Sequence, residues 1–297
     1  MTRLDRSGNE HPPRRVQRKQ KARPSPMPAA SATTAGGIAS TVALALLVIA
    51  VFAIPLIVYL KVDIVPPAYR DHWPTPVVFD FFAYHKARAA QWLALPLAGL
   101  VGWKLIADPA SRVGRSFWLL LVYIGLTTFS ALASDHPDVA IFGYYERCEG
   151  LLTLASYAVL ALAAATFVRS AAQARWVVCG WLAGMAVVMV VALLQFLGMN
   201  PFASIDVMRT LMPASVAHLA PQLSLGPPYW VYSTLANPNY VAMTMALVVP
   251  VCTLLFVLDW PGMKPSWLFV LTLLACATLV AARLCVGMTM ALVAGRA

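Results

Sequence analysis

Charge is scarce in this sequence. Asp, Glu, Lys and Arg make up 11% of its 297 residues, while 60% are hydrophobic, and the mean hydropathy is +0.73. A soluble domain of this length needs many more charges to cover its surface, so lipid is the solvent for most of the chain. Cysteine is scarce as well, at five residues, an odd number without zinc-like spacing. Cys179, Cys252 and Cys276 fall within apolar stretches and Cys148 and Cys285 lie nearer their ends. A cysteine in such a place is a small hydrophobe, so neither a disulfide framework nor a metal site is expected. The ten-residue alternation of a membrane β-barrel is also missing. The central thirds of the apolar stretches are nearly free of ionisable groups, which argues against a proton- or ion-coupled carrier.

What is present is a series of apolar runs, each about 17–23 residues long. In hydrocarbon every backbone N–H and C=O needs an internal partner, and runs of this length cross a core of roughly 30 Å as helices. The expected fold is an all-α polytopic membrane protein. Its spans are expected at 38–60, 89–106, 117–133, 150–168, 176–198, 240–258 and 266–282. That makes about seven transmembrane helices, plus a partial eighth at 284–294 that is too short to span.

The formal net charge of +10 is concentrated at the start of the chain. Arg3, Arg6, Arg14, Arg15, Arg18, Lys19, Lys21 and Arg23 precede the first apolar run, interleaved with Pro12, Pro13, Pro24, Pro26 and Pro28. Residues 1–37 therefore read as a disordered basic tail and 38–297 as a helical membrane domain. The tail reads as a cytoplasmic retention signal beside anionic lipid, not as a nucleic-acid arm, and the run after it as a signal anchor. Lys104, Arg112, Arg115, Arg169, Arg175 and Lys264 fall in the remaining inside segments. The longer, mixed segments at about 61–88, 134–149 and 199–239 then face outward, with the N-terminus in the cytoplasm. Gly180 and Gly184 form a small-xxx-small face suited to close helix packing.

Polar chemistry gathers on the outer side. Phe142-Gly143-Tyr144-Tyr145-Glu146-Arg147-Cys148-Glu149-Gly150 places two carboxylates and an arginine between glycines at a lipid–water boundary. Glycine permits tight turns and close approach, and arginine offers a permanently charged planar fork for phosphate oxygens. An aromatic belt with a local ion pair is the plainer reading, and it is favoured for Tyr144 and Tyr145. For Arg147 the functional reading leads, because an outward arginine opposes the sidedness trend. Asn237-Pro238-Asn239-Tyr240 has the form of an N-cap with proline in the first turn, whose free N–H groups suit an anion or simply a well-made helix start. Arg283, between two apolar stretches, is a functional candidate, with snorkelling to lipid headgroups as the alternative. Gly198-Met199-Asn200-Pro201-Phe202 reads as a helix stop and turn; Asp206, Arg209 and His218 come after it, and a lone His218 reads as bland.

These pieces resemble, in order over roughly the second half of the chain, the O-antigen ligase-like family. That family includes lipopolysaccharide O-antigen ligases, Wzy-type polymerases and protein O-oligosaccharyltransferases. The resemblance rests on the 142–150 stretch ahead of a span, the Gly198–Phe202 turn, Thr234-Leu235-Ala236-Asn237-Pro238-Asn239-Tyr240 opening the next span, and Arg283 after the following one. It implies a glycosyltransferase that takes a glycan from an undecaprenyl-diphosphate carrier at the outer leaflet of the bacterial inner membrane. The acceptor is then lipid A-core, another glycan or a protein, and neither a metal nor another cofactor takes part. Carried over by position, Arg147 and Arg283 neutralise the leaving diphosphate. Asn237 and Asn239, with Tyr240, Tyr144 and Tyr145, shape the substrate site, and Glu146 or Glu149 orients the arginine or deprotonates the acceptor. Family members are longer, with further spans and a large outer loop bearing a catalytic histidine, so a C-terminally short relative is expected. The family's Ser-Arg-Gly reads Ala282-Arg283-Leu284 here.

Two other classes fit the same sequence: a lipid-linked-glycan binding or scaffold protein without catalysis and, less well, a small-molecule transporter. If Arg147 grips phosphate in bidentate fashion, Arg147→Lys impairs glycan transfer even with normal membrane insertion, because a point charge does not replace the fork. Wild-type transfer by that variant, at matched membrane levels, would remove the residue from the role.

Overall fold

In the computed structural model the described residues are 34–65, 67, 76–108, 116–144, 147–223, 225–226, 230–260 and 263–294. The chain divides into two units, Met1–Gly37 and Ile38–Ala297. Only residues 34–37 of the first are described, so the expected basic tail lies almost wholly outside the described residues. The second unit holds the membrane domain.

Helices dominate that unit: α1 (Thr34–Ala53), α2 (Tyr84–Ala107), α3 (Ser116–Leu132), α4 (Pro137–Phe142), α5 (Leu151–Phe167), α6 (Ala171–Phe196), α7 (Ile205–Thr210), α8 (Pro238–Val257) and α9 (Pro265–Ala294). Five helices are long and apolar enough to cross a membrane, namely α1, α2, α6, α8 and α9. α3 and α5 are apolar but have 17 residues each, the lower end of what spans a bilayer. Their outer faces carry large apolar side chains. Trp118, Leu119, Leu126 and Phe129 on α3 are all exposed, as a lipid-facing surface requires.

Two groups of helices make up the bundle. Leu47 of α1, Leu97 and Val101 of α2, and Ala163 and Phe167 of α5 form one buried cluster. Met185, Val188 and Met189 of α6 pack with Val241, Met245 and Val248 of α8 and with Leu268, Ala275 and Ala282 of α9 in the other. Gly180 and Gly184 lie where α6 crosses α1: a Cβ on Gly184 would stand 2.8 Å from the Phe52 carbonyl oxygen, and one on Gly180 3.0 Å from a Val48 methyl. The small-residue face is thus used for close helix contact.

Three features depart from the sequence reading. First, the 61–88 segment is not a plain loop. Lys61–Ile64 (β1) pairs antiparallel with Val77–Asp80 (β2), with Lys61 opposite Asp80 and Ile64 opposite Val77. α2 then begins at Tyr84, earlier than expected. Asp80 supplies the start: its carboxylate accepts from the amides of Phe82, Ala83 and Tyr84 at 2.7–2.8 Å. Second, the first span ends sooner, because a 3-10 turn at Ile54–Leu56 containing Pro55 closes α1. Third, the expected partial eighth helix is not a separate element. α9 runs without a break through Arg283, over 30 residues. Arginine is a good helix former, and the stretch around it holds no proline, so one charge alters solvation without breaking the backbone ladder.

The described parts of 199–239 include two 3-10 turns, Pro201–Ala203 and Ala217–Gln222, and the short helix α7. Gly198 at φ +80 ends α6, with Met199 N–H bonding back to Leu194 O at 2.8 Å, and Asn200 caps the 3-10 turn Pro201–Ala203. Met208 and Met212 bury against Leu60 and Phe81. Gly184→Leu should lower stability by about 2 kcal/mol, the usual cost of forcing side-chain bulk into a packed contact. It would appear as a lower melting temperature in detergent, and an unchanged one would mean that the α1–α6 crossing yields freely.

Candidate functional site

The ends of α2, α5 and α8 nearest the β1–β2 pair enclose a cavity of about 520 Å³. Lys86 and Ala83 line it from the start of α2, Arg147 and Glu149 from the 143–150 loop, Tyr157 from α5, and Tyr240, Met243 and Thr244 from α8. The volume lies in the usual range for small-molecule sites.

Arg147 owes its position to a clasp. Gly143 (φ +93) and Gly150 meet backbone to backbone: a Cβ on Gly150 would fall 2.3 Å from Gly143 N, and one on Gly143 2.4 Å from Cys148 C. No larger residue fits either place. Inside the clasp Tyr144 O accepts from Arg147 N at 3.1 Å and from Cys148 N at 2.9 Å, and Cys148 takes the left-handed φ of +52. A chain of side chains ties the loop to the helices. Arg88 Nη1 donates to Gln91 Oε1 (2.9 Å), Gln91 Nε2 to Thr153 Oγ1 (3.2 Å), and Thr153 Oγ1 to Cys148 O (2.7 Å).

Sequence reasoning does not single out Lys86. It sits in the first turn of α2 and its Nζ donates to Thr234 O, 5.8 Å from the centre of the Phe82 ring. Among the described residues no carboxylate forms an ion pair with Lys86 or with Arg147; the ion pairs present are Lys61–Asp63, Lys104–Asp108 and Arg209–Asp206. Glu149 lines the cavity without an ion pair to Arg147, and Glu146, the other carboxylate the sequence offers for a local pair, lies outside the described residues. Like Arg147, Lys86 is a cation beside a span in a segment that the sequence reading expects to face outward.

Other expected residues are placed apart. Tyr144 lines a neighbouring cavity of about 220 Å³ with Asp63, Asp80, Asp138, Arg88 and Cys148. Tyr145 and Glu146 lie outside the described residues. Asn237 is the N-cap of α8, with its side chain accepting from Asn239 N at 2.8 Å and Pro238 in the first turn. Asn237 and Asn239 do not line the larger cavity, although Tyr240 does. Arg283 is exposed on α9 and does not line it either. His218 is exposed, and Asp206 and Arg209 pair with each other at 3.6 Å.

Just before α8, Val231, Tyr232, Ser233 and Thr234 are buried in irregular chain with left-handed φ at Ser233 (+48) and Ala236 (+73). Gln195 Oε1 accepts from Ser233 N at 2.7 Å, Ser233 Oγ donates to Val188 O at 2.7 Å, and Thr234 Oγ1 to Pro55 O at 2.8 Å. Tyr232 stacks on Phe202 with ring centres 6.1 Å apart. Its hydroxyl accepts from Asn200 Nδ2 at 3.0 Å. Burial raises the Tyr232 pKa and the Asn200 hydrogen bond partly offsets the rise, so it stays a neutral phenol.

Fold and cavity together define the class: an α-helical membrane protein with a cavity at one end of its bundle lined by two cations, Lys86 and Arg147, and one carboxylate, Glu149. No protein-family model, no curated protein and no solved structure matches the chain.

Burial, reinforced by the negative charges of Asp80 and Asp63, pushes the Cys148 thiol up to about 11. A raised thiol pKa keeps the sulfur protonated at neutral pH, with thiolate appearing only as the pH climbs towards that value. In a variant whose sole cysteine is Cys148, iodoacetamide at pH 8 should react on the order of a hundredfold slower than with a free thiol of ordinary pKa. Reaction at the free-thiol rate would mean that the loop opens readily.

Proposed function

We propose that the chain is a membrane glycosyltransferase of O-antigen ligase type. It acts in the bacterial inner membrane, with its N-terminus in the cytoplasm and the cavity at the periplasmic face. It moves a glycan from an undecaprenyl-diphosphate carrier to an acceptor, which is lipid A-core, another glycan or a protein. The observation that carries this reading is Arg147. Two glycines and a relay of hydrogen bonds ending at the Cys148 carbonyl pin the loop backbone that carries Arg147, and the residue lines the cavity without an ion pair to any described carboxylate. Arginine's planar fork of donors suits phosphate oxygens.

The walls favour a lipid-borne phosphate over a soluble one. Tyr157, Tyr240 and Met243 line the cavity and are also exposed on the faces of α5 and α8, surfaces that meet hydrocarbon in a membrane protein. An amphiphile can therefore lay its chain along these faces with its phosphates beside Arg147. The sidedness follows from the basic tail and the Lys and Arg of the alternate connections. In departure of the carrier, negative charge grows on the diphosphate, and a preplaced cation stabilises that change more than it stabilises the bound substrate. Glu149, on the same cavity wall, is placed to take the acceptor's hydroxyl proton.

The test is glycan transfer in a host lacking its own ligase, comparing the unmodified chain with Arg147→Ala at matched membrane levels. Transfer by the unmodified chain, reduced roughly a hundredfold or more by the substitution, is expected. Equal transfer by both would remove Arg147 from the site, and none by the unmodified chain despite confirmed insertion would overturn the transferase reading.

A further inference from the structure

Arg147 is one cation, and a diphosphate carries two anionic groups. The cavity supplies a second cation from another element. Lys86 lines the same cavity as Arg147, and its ammonium is anchored by Thr234 O, a carbonyl of the buried segment ahead of α8. A lysine ammonium has three donor protons. Thr234 O takes one, and no described carboxylate pairs with the rest. Phe82 and Leu235 stand beside it in the cavity wall, so water solvates the charge less fully than at a free surface. An unpaired ammonium in such surroundings is costly until an anion joins it. Arg283 is exposed on α9 and does not line the cavity.

We infer that Lys86 is the second phosphate-binding cation of this site and sets its preference for a diphosphate over a monophosphate carrier. The inference rests on the transferase reading of the cavity. Arg147 holds one phosphate and Lys86 the other. In the transfer the bond between the sugar's anomeric carbon and the terminal phosphate oxygen breaks, and its electron pair stays on that oxygen. The acceptor oxygen bonds to the anomeric carbon, and its hydroxyl proton leaves to solvent by way of Glu149. The diphosphate goes from two negative charges to three, and Lys86 meets the added one. Because the same ammonium holds Thr234 O, ligand and the chain leading into α8 share one donor group.

The experiment measures binding of undecaprenyl diphosphate and undecaprenyl phosphate to the full chain in phosphatidylcholine nanodiscs. The unmodified protein should bind the diphosphate about tenfold more tightly than the monophosphate, the scale of one added charge-assisted contact. Lys86→Gln keeps an amide donor for Thr234 O and should bring the two affinities together, whereas Lys86→Arg should keep them apart. Arg147→Ala should weaken both lipids. Lys86→Met, similar in length and uncharged, gives the same reading if Lys86→Gln does not purify as a monodisperse protein. A tenfold preference persisting in the uncharged variants would overturn the inference while leaving the transferase reading intact, provided that Arg147→Ala still weakens binding. Unchanged affinities in every variant would overturn both.

Discussion

A run of chain that is neither helix nor strand lies buried inside a membrane protein, and its polar backbone must find partners there. Residues 231–234 meet that demand with groups borrowed from four other places. Cys285 Sγ of α9 accepts from Val231 N at 3.3 Å, Gln195 of α6 accepts from Ser233 N, Pro55 O receives the Thr234 hydroxyl, and Lys86 of α2 donates to Thr234 O. In a medium without water each unmet group costs several kcal/mol. The irregular segment therefore fixes how the end of α1 and the helices α2, α6 and α9 stand around it, and α8 starts where it ends.

That arrangement makes the cavity. α5 packs with α2, while α8 packs with α6 and α9, and α5 and α8 face each other across open space lined by Tyr157 on one side and Tyr240 and Met243 on the other. The loop bearing Arg147 closes one wall, held from α2 through Arg88, Gln91 and Thr153. α2 thus contributes twice, once through Lys86 directly and once through the polar relay that ends at the Cys148 carbonyl, next to Arg147 in the chain.

Features whose cause is local are legible from the sequence. The Asn237–Pro238 helix start, the glycine stop at Gly198 and the Gly180/Gly184 contact each depend on a residue's own backbone or size, so the residue type announces the geometry. The framing of Arg147 by glycines is visible too, although the sequence does not say that the two glycines touch. Features whose cause is distant are not legible. Lys86 counts as one more charge in an outer segment until the fold brings Thr234 to it. A span end is expected at Arg283 because a charge is expensive in lipid, but the backbone does not register that expense and α9 continues. The short strands do carry a signal: Val62, Ile64, Val77 and Val78 are β-branched. The pairing joins residues 13 or more positions apart with no tight-turn motif between them, and that hides it.

The meeting of Gly143 and Gly150 has a consequence for substitution within the loop. The base of the loop is fixed by two residues that admit no side chain, and Thr153 grips a backbone carbonyl instead of a side chain. A change of side chain at Arg147 therefore leaves the contacts at the base of the loop intact, because those contacts are made by backbone atoms. The frame of the loop is thus separable from what it displays: its shape is written in backbone contacts and its chemistry in the side chains between them.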